Sequence, residues 1–317
     1  MVSRARPAYV PGMRAAALLA CVLLAVAGCG APGRDAAPKA PAAQRAASPS
    51  PAPEGLVEGD VTSADGVSIH YRARAGRASR ADVLLVHCWT CTSANWDHTM
   101  AHLAGRYRVV ALDLAGHGKS GRDRQRWTTE AFGADVRAVA EALSLHDLIL
   151  VGHSMGGGVM IEAARAMPDR VRALVAIDTL SALQKKPDPA FVASMVAKLE
   201  ADFPGTVEPL ARGLFAKGTD PAVVARVVAE MRAADPKAAI PMFRAMFEYD
   251  AGARMAAVKA PLRAIESDMH PTDVEGNRTI APGFDAVIMK GVGHWPMLEA
   301  PDAFDDALET TLDALTK

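Results

Sequence analysis

From Leu56 to the C-terminus, apolar positions follow two rhythms. Leu56–Val61, a turn at Ala64-Asp65-Gly66, and Val67–Ala73 read as a hairpin. Six short, mainly apolar runs follow: Val83–Val86, Val109–Leu112, Leu148–Val151, Val171–Ile177, Leu262–Ile265 and Ala286–Met289, with Arg172 and Arg263 as the charged interruptions. Such runs suit strands covered on both faces. Stretches with helical spacing separate or follow them at Ala94–Leu103, Thr128–Leu143, Val159–Met167 and Pro301–Leu315. The alternation predicts an α/β fold, with a mostly parallel eight-stranded sheet flanked by helices. Residues 178–259 break the rhythm, offering no strand but four amphipathic helices near 188–202, 206–216, 220–233 and 236–249. This predicts a helical lid at about 180–258, inserted after the sixth strand. It would lie over the carboxyl ends of the strands, where open α/β sheets bind ligands.

Composition changes the picture at the N-terminus. Arg4, Arg6 and Arg14 precede an apolar run, Ala15–Ala27, of the length of a secretory h-region and too short to span a bilayer comfortably. The run ends Val26-Ala27-Gly28-Cys29, which resembles a bacterial lipoprotein signal. That resemblance implies removal of residues 1–28 and lipidation of Cys29; a plain secretory signal or a short anchor is the alternative. Residues 29–55 are rich in Ala and Pro and lack the large apolar side chains needed to order a segment, so they read as a tether. The expectation is an exported protein of the bacterial cell envelope, membrane-anchored, with a domain over 56–317. The net charge of −1 in 317 residues gives no support for nucleic-acid binding.

The candidate chemistry centres on Gly152-His153-Ser154-Met155-Gly156, between a buried strand and a helix. Strand, sharp turn and helix form the context in which Gly-x-Ser-x-Gly presents a nucleophile. The glycines let strand and helix backbones approach, and the turn lifts the hydroxyl clear of the sheet. Met155 N–H, at a helix N-terminus, is aimed at where an oxyanion would form. A serine hydroxyl needs a base. Of nine histidines, His294 follows a late buried strand within a glycine-flanked loop. His153 and His117 read as packing and structural residues.

Five motifs in order resemble the α/β-hydrolase superfamily: Leu85-Val86-His87-Cys88-Trp89, Asp113 through Ser120, Gly152 through Gly157, Ser267 through Pro271, and Gly291-Val292-Gly293-His294-Trp295. The resemblance implies a serine hydrolase that needs no cofactor or metal. Its triad would be Ser154, an acid and His294, and Trp89 N–H would be the second oxyanion donor beside Met155 N–H. The acid is expected after the strand Leu262–Ile265. Counting forward from the strand reaches His270, and counting back from His294 reaches Asp268. Asp268 is chosen, Asp273 is the second choice, and Glu266 and Asp178 are further alternatives. The expected reaction is hydrolysis of a small or medium carboxylic ester through an acyl-enzyme. Acyl transfer and cleavage of a lactone, amide or carbon–carbon bond use the same triad. A rival from another class is a non-catalytic hydrolase-fold protein that binds a ligand.

Cys88 and Cys91 are spaced to close a small disulfide if their loop turns back, and export favours oxidation; two partly buried thiols are the alternative. Met195, Met231, Met242, Met246 and Met255, with Phe191, Phe203, Phe215, Phe243 and Phe247, give the lid a core or an adaptable apolar pocket wall.

Overall fold

The computed structural model describes residues 55–75 and 81–317. The signal-peptide reading, Cys29 and nearly all of the tether lie outside the described residues. Among those described, no helix is long and apolar enough to cross a membrane.

Eight strands form one sheet: β1 (Leu56–Thr62), β2 (Ser68–Arg74), β3 (Asp82–Val86), β4 (Arg108–Leu112), β5 (Leu148–His153), β6 (Val171–Ile177), β7 (Leu262–Ser267) and β8 (Asp285–Met289). Their spatial order is β1-β2-β4-β3-β5-β6-β7-β8. The β1–β2 hairpin and the β2–β4 pair are antiparallel, and all other pairs are parallel. Every residue of β3 and β5 is buried, as their unbroken apolar sequences require. The chain runs outward from β3 to β4, then crosses back to β5 on the other side of β3. The order therefore reverses at the β3/β5 pair, and a crevice opens beyond the carboxyl ends of these two strands.

Helices α1 (Asp97–Leu103), α2 (Thr129–Ala142), α3 (Met155–Ala166) and the C-terminal helix Pro301–Leu315 flank the sheet. A single 3-10 turn, Ser93–Trp96, precedes α1. Helix α2 packs on α3, where Gly133 removes the side chain that would strike Glu162 and the Ala163 backbone. The C-terminal helix packs on α1. There Asp305 accepts from His98 Nδ1 (2.7 Å) and Thr99 Oγ1 (2.6 Å).

Between β6 and β7 lie α4 (Pro189–Ala201), α5 (Phe203–Gly213), α6 (Pro221–Arg232), α7 (Pro236–Glu248) and the short α8 (Ala251–Met255). The four expected helices are present within a few residues, and α8 is additional. Each of the five starts at an aspartate, Asp188, Asp202, Asp220, Asp235 or Asp250, whose carboxylate accepts a first-turn N–H. Proline fills the first or second position of α4 through α7, where its missing N–H costs nothing. Met195, Met231, Met242, Met255, Phe203, Phe215 and Phe243 are buried core. Met246, Phe191 and Phe247 are half-buried against it. Two further short helices, α9 (Val274–Arg278) and α10 (Pro296–Glu299), precede the C-terminal α11 (Pro301–Leu315).

Candidate active site

The turn between β5 and α3 is forced by sterics. Ser154 sits at φ 52°, ψ −115°, a conformation that L side chains rarely adopt and that costs on the order of 1–3 kcal/mol. Its neighbours make room for it. A Cβ on Gly152 would run into the Gly156 carbonyl, and one on Gly156 would stand 2.6 Å from Val86 O. One on Gly157 would press on Thr179 Cγ2 at 2.6 Å. Ser154 N–H donates to Ile177 O (3.1 Å), tying the turn to the end of β6. Met155 opens α3, so its N–H belongs to the first turn, which helix geometry leaves without an internal acceptor.

The loop after β3 runs beside this turn, since Val86 O and His87 O both border Gly156. Cys88 and Cys91 are disulfide-bonded there, with Cα atoms 5.2 Å apart and both residues buried. Cys88 does not take the left-handed conformation that glycine would favour. That conformation falls on Thr90, at φ 57°. Two imidazoles hold it. Thr90 N–H donates to His117 Nε2 (3.2 Å), so His117 carries its proton on Nδ1, which donates to Ala115 O (3.0 Å). His87 Nε2 accepts from Leu114 N–H (3.0 Å), and its Nδ1–H donates to Cys88 O (2.7 Å). Both rings must be neutral to accept. Burial lowers the pKa of each, that of His117 to about 3. Trp89 is buried, its indole N–H donating to Ala239 O in α7 (2.8 Å) and its ring meeting Phe203 and Phe243 edge-on. Among the described residues, neither Trp89 N–H nor Met155 N–H has a backbone acceptor in loops or turns.

His294 follows β8, as expected, but its carboxylate partner is Asp178. His294 Nδ1–H donates to Asp178 Oδ2 at 2.6 Å. Asp178 ends β6, at φ 44°, one residue past the Ile177 carbonyl that holds Ser154. Its other oxygen accepts Ser267 N–H (2.8 Å). Burial opposes its charge, but the hydrogen bond and charge of His294 and the bond from Ser267 outweigh this and hold the carboxyl well below the usual carboxylate range. His153, the residue before Ser154, packs against His294. The His153 ring lies 4.8 Å from that of His294, centroid to centroid, and His153 Nε2–H donates to the His294 carbonyl (2.6 Å). Burial, then the His294 charge, lowers the His153 pKa to about 3, so this ring is a neutral packing group. The hydrogen bonds of His294 itself run to Asp178 and, through its backbone N–H, to Leu214 O. Among the described residues no hydrogen bond joins His294 to Ser154 Oγ; catalytic hydrogen bonds are often long without a ligand and tighten when substrate binds.

The choice of Asp268 as triad acid is therefore corrected. Asp268 is exposed, and its Oδ1 accepts Gly291 N–H (3.0 Å), fixing the start of the base loop rather than the imidazole. Asp273, the second choice, caps α9 by accepting from Gly276 N–H. Glu266 lies behind Asp178. Burial, then the Asp178 charge, raises its pKa well above the usual value, and it accepts from Thr179 N–H (3.3 Å). The signal for Asp178 was its place: it is the first polar residue beyond the strand that pairs with β5. Ligand-facing groups gather at such strand ends.

A cavity of about 80 Å³ opens beside Ser154, with Met155, Thr129, Thr179, Leu180 and Met246 on its walls. A larger one, about 200 Å³, lies against Thr92, His117 and Glu230 but does not include the serine. Among the described residues, no group of three or more His, Cys, Asp or Glu side chains is placed to hold a metal ion.

A profile of the alpha/beta hydrolase family matches residues 83–307, from β3 into α11. The chain belongs to that family. Its relatives within the alpha/beta hydrolases include a non-heme chloroperoxidase of Streptomyces lividans, 36% identical over 41% of this chain and 48% of that protein. A bifunctional esterase/perhydrolase of Acinetobacter calcoaceticus is 36% identical over 40% of this chain and 47% of its own. The chain thus spans about half the length of these relatives. A thermophilic esterase from Thermogutta terrifontis shares the fold, with a TM-score of 0.72, 21% identity, and coverage of 82% of this chain and 100% of that one.

Proposed function

We propose that this alpha/beta hydrolase is a serine hydrolase that cleaves a small or medium carboxylic ester through an acyl-enzyme. The observation that carries the reading is the His294–Asp178 hydrogen bond, made beside the strained Ser154 turn. His294 Nε2 takes the serine proton as Ser154 Oγ attacks the ester carbonyl. Asp178 fixes the tautomer with Nε2 free and stabilises the imidazolium that forms. Met155 and Trp89 N–H groups receive the oxyanion. The imidazolium then protonates the departing alcohol, and water, activated by the same ring, releases the acid. The 80 Å³ cavity beside Ser154 favours a short acyl group. The esterase names among the relatives support the same class.

A fluorophosphonate probe tests the reading. Parent protein should label at Ser154 and hydrolyse p-nitrophenyl acetate, and Ser154→Ala should lose labelling and about 10⁴-fold or more of turnover. Equal turnover by Ser154→Ala would end the serine mechanism. Within the same proposal the enzyme is exported and held to a membrane through acyl chains on Cys29, supported by the Val26-Ala27-Gly28-Cys29 sequence. Cys29→Ala should then move the protein from the membrane fraction to the soluble fraction; unchanged partitioning would contradict the anchor.

A further inference from the structure

Glu299 stands at the end of α10, five residues after His294, and its carboxylate gathers four donors. Oε2 accepts Gly293 N–H (3.0 Å), Ala216 N–H (3.0 Å) and the Thr219 hydroxyl (2.6 Å). Oε1 accepts Trp295 N–H (3.1 Å). Gly293 and Trp295 are the residues on either side of His294. Ala216 and Thr219 belong to the link between α5 and α6, inside the helical insertion. The same link holds the base a third way, since His294 N–H donates to Leu214 O (2.8 Å). It also packs there: Phe215 stacks on Trp295 with ring centroids 4.5 Å apart. At Gly293 the contact is backbone on backbone, because a Cβ would stand 2.6 Å from Ala216 N and against Leu214 O.

One carboxylate therefore fastens both flanks of the imidazole to one turn of the insertion. Hydrogen bonds to a charged acceptor are roughly twice as strong as neutral ones. Asp268, which reaches the same loop from the end of β7, is committed to Gly291 N–H. We propose that Glu299 is a positioning residue for the catalytic base and makes the His294–Asp178 bond conditional on the seating of segment 214–219. The proposal rests on the triad reading above. It also has a mechanical consequence: the insertion cannot lift at its α5–α6 end without drawing His294 from Asp178, so substrate enters where the insertion is not tied to the base.

The test uses the mature full-length chain with Glu299→Gln and Thr219→Ala. Glutamine keeps one acceptor oxygen and turns the other into a donor that faces N–H groups. Three readouts are taken: kcat and KM for p-nitrophenyl acetate, the downfield proton NMR resonance of the His294–Asp178 hydrogen bond, and Tm. A displacement of about 1 Å at a reacting group costs about 10²-fold. Glu299→Gln should lower kcat about 100-fold with KM within about threefold, and should broaden or abolish the downfield resonance. Thr219→Ala should give a smaller drop of the same kind, about fivefold, and carries the test alone if Glu299→Gln does not fold. An intact resonance and kcat within about twofold of parent in the folded variants would overturn the proposal. The resonance reads the proposal even if no ester is turned over, whereas an unlabelled parent serine would overturn the triad reading instead.

Discussion

The Ser154 turn and the His294–Asp178 pair lie at one sheet edge but are built by different physics. The Ser154 turn is local. Residues 152–157 carry it, and clearance fixes its shape: Gly152 against the Gly156 carbonyl, Gly156 against Val86 O, and Gly157 against the Thr179 side chain. The acid–base pair is non-local. Asp178 and His294 are 116 residues apart, and their supports come from two further segments, at Ser267 and Leu214, and from Glu299 five residues beyond the histidine. Sterics within a short segment leave a motif in the chain. Hydrogen bonds between distant strand ends leave only a position, which the sheet order must supply.

The contrast can be sharpened by experiment. The largest effect on the local side should follow Gly156→Ala, whose new methyl would meet the Val86 and His87 carbonyl oxygens at 2.6 and 3.1 Å. Neither strand nor helix can yield cheaply, so urea denaturation should show a loss of at least about 3 kcal/mol. Gly213→Ala is the control: it sits at the end of α5 with nothing within 4 Å of its added Cβ, and it should be neutral or slightly stabilising. Equal effects of the two would refute the steric account.

A middle-sized effect is expected at the oxyanion loop. The Cys88–Cys91 bond closes around Trp89 and the left-handed Thr90, so replacing both cysteines by serine should loosen the Trp89 N–H. Removal of an oxyanion donor costs 10²–10³ in kcat, and loosening one should cost about tenfold, with KM nearly unchanged. Unaltered kcat in a folded double variant would show that the disulfide does not position the donor.

The smallest effect concerns Glu266. Burial, then the charge of Asp178, raises its pKa well above the usual carboxylate value. A raised carboxyl contributes stability below its unfolded value of about 4.5 and loses it as pH rises through the folded value. Glu266→Gln should therefore match the parent near pH 4, exceed it in Tm by a few degrees at pH 8–9, and keep kcat within about threefold. A lower Tm at pH 8–9 would mean that the carboxylate is charged and paired.

The central strands were legible because buried parallel strands need apolar runs, and those at 83–86, 148–151 and 171–177 mark β3, β5 and β6 directly, while β1 and β2 were legible as a hairpin and β8 is an apolar run that lies largely exposed. The four long insertion helices were legible from periodicity. Helices of five residues or fewer, such as α8, α9 and α10, are too short to show a period. The Ser154 turn and the His294 loop each carry a motif; the carboxylate that bonds His294 carries none, and Asp268 was expected in its place. Asp268 and Asp178 both follow a strand at the same sheet edge, and only the pairing of β6 with β5 brings Asp178 beneath the base. In the loop after β3 the left-handed turn falls on Thr90, not Cys88, and His117 accepts its N–H.

The account turns on which carboxylate serves His294, and turnover of Asp178→Asn beside Asp268→Asn in one ester assay decides it. Loss of the orienting carboxylate leaves the imidazole in the wrong tautomer and costs about 10³–10⁴ in kcat. Asp178→Asn should show that loss, while Asp268→Asn stays within a few-fold of the parent. The reverse pattern, or a fully active Asp178→Asn, would contradict the structure's pairing of acid and base.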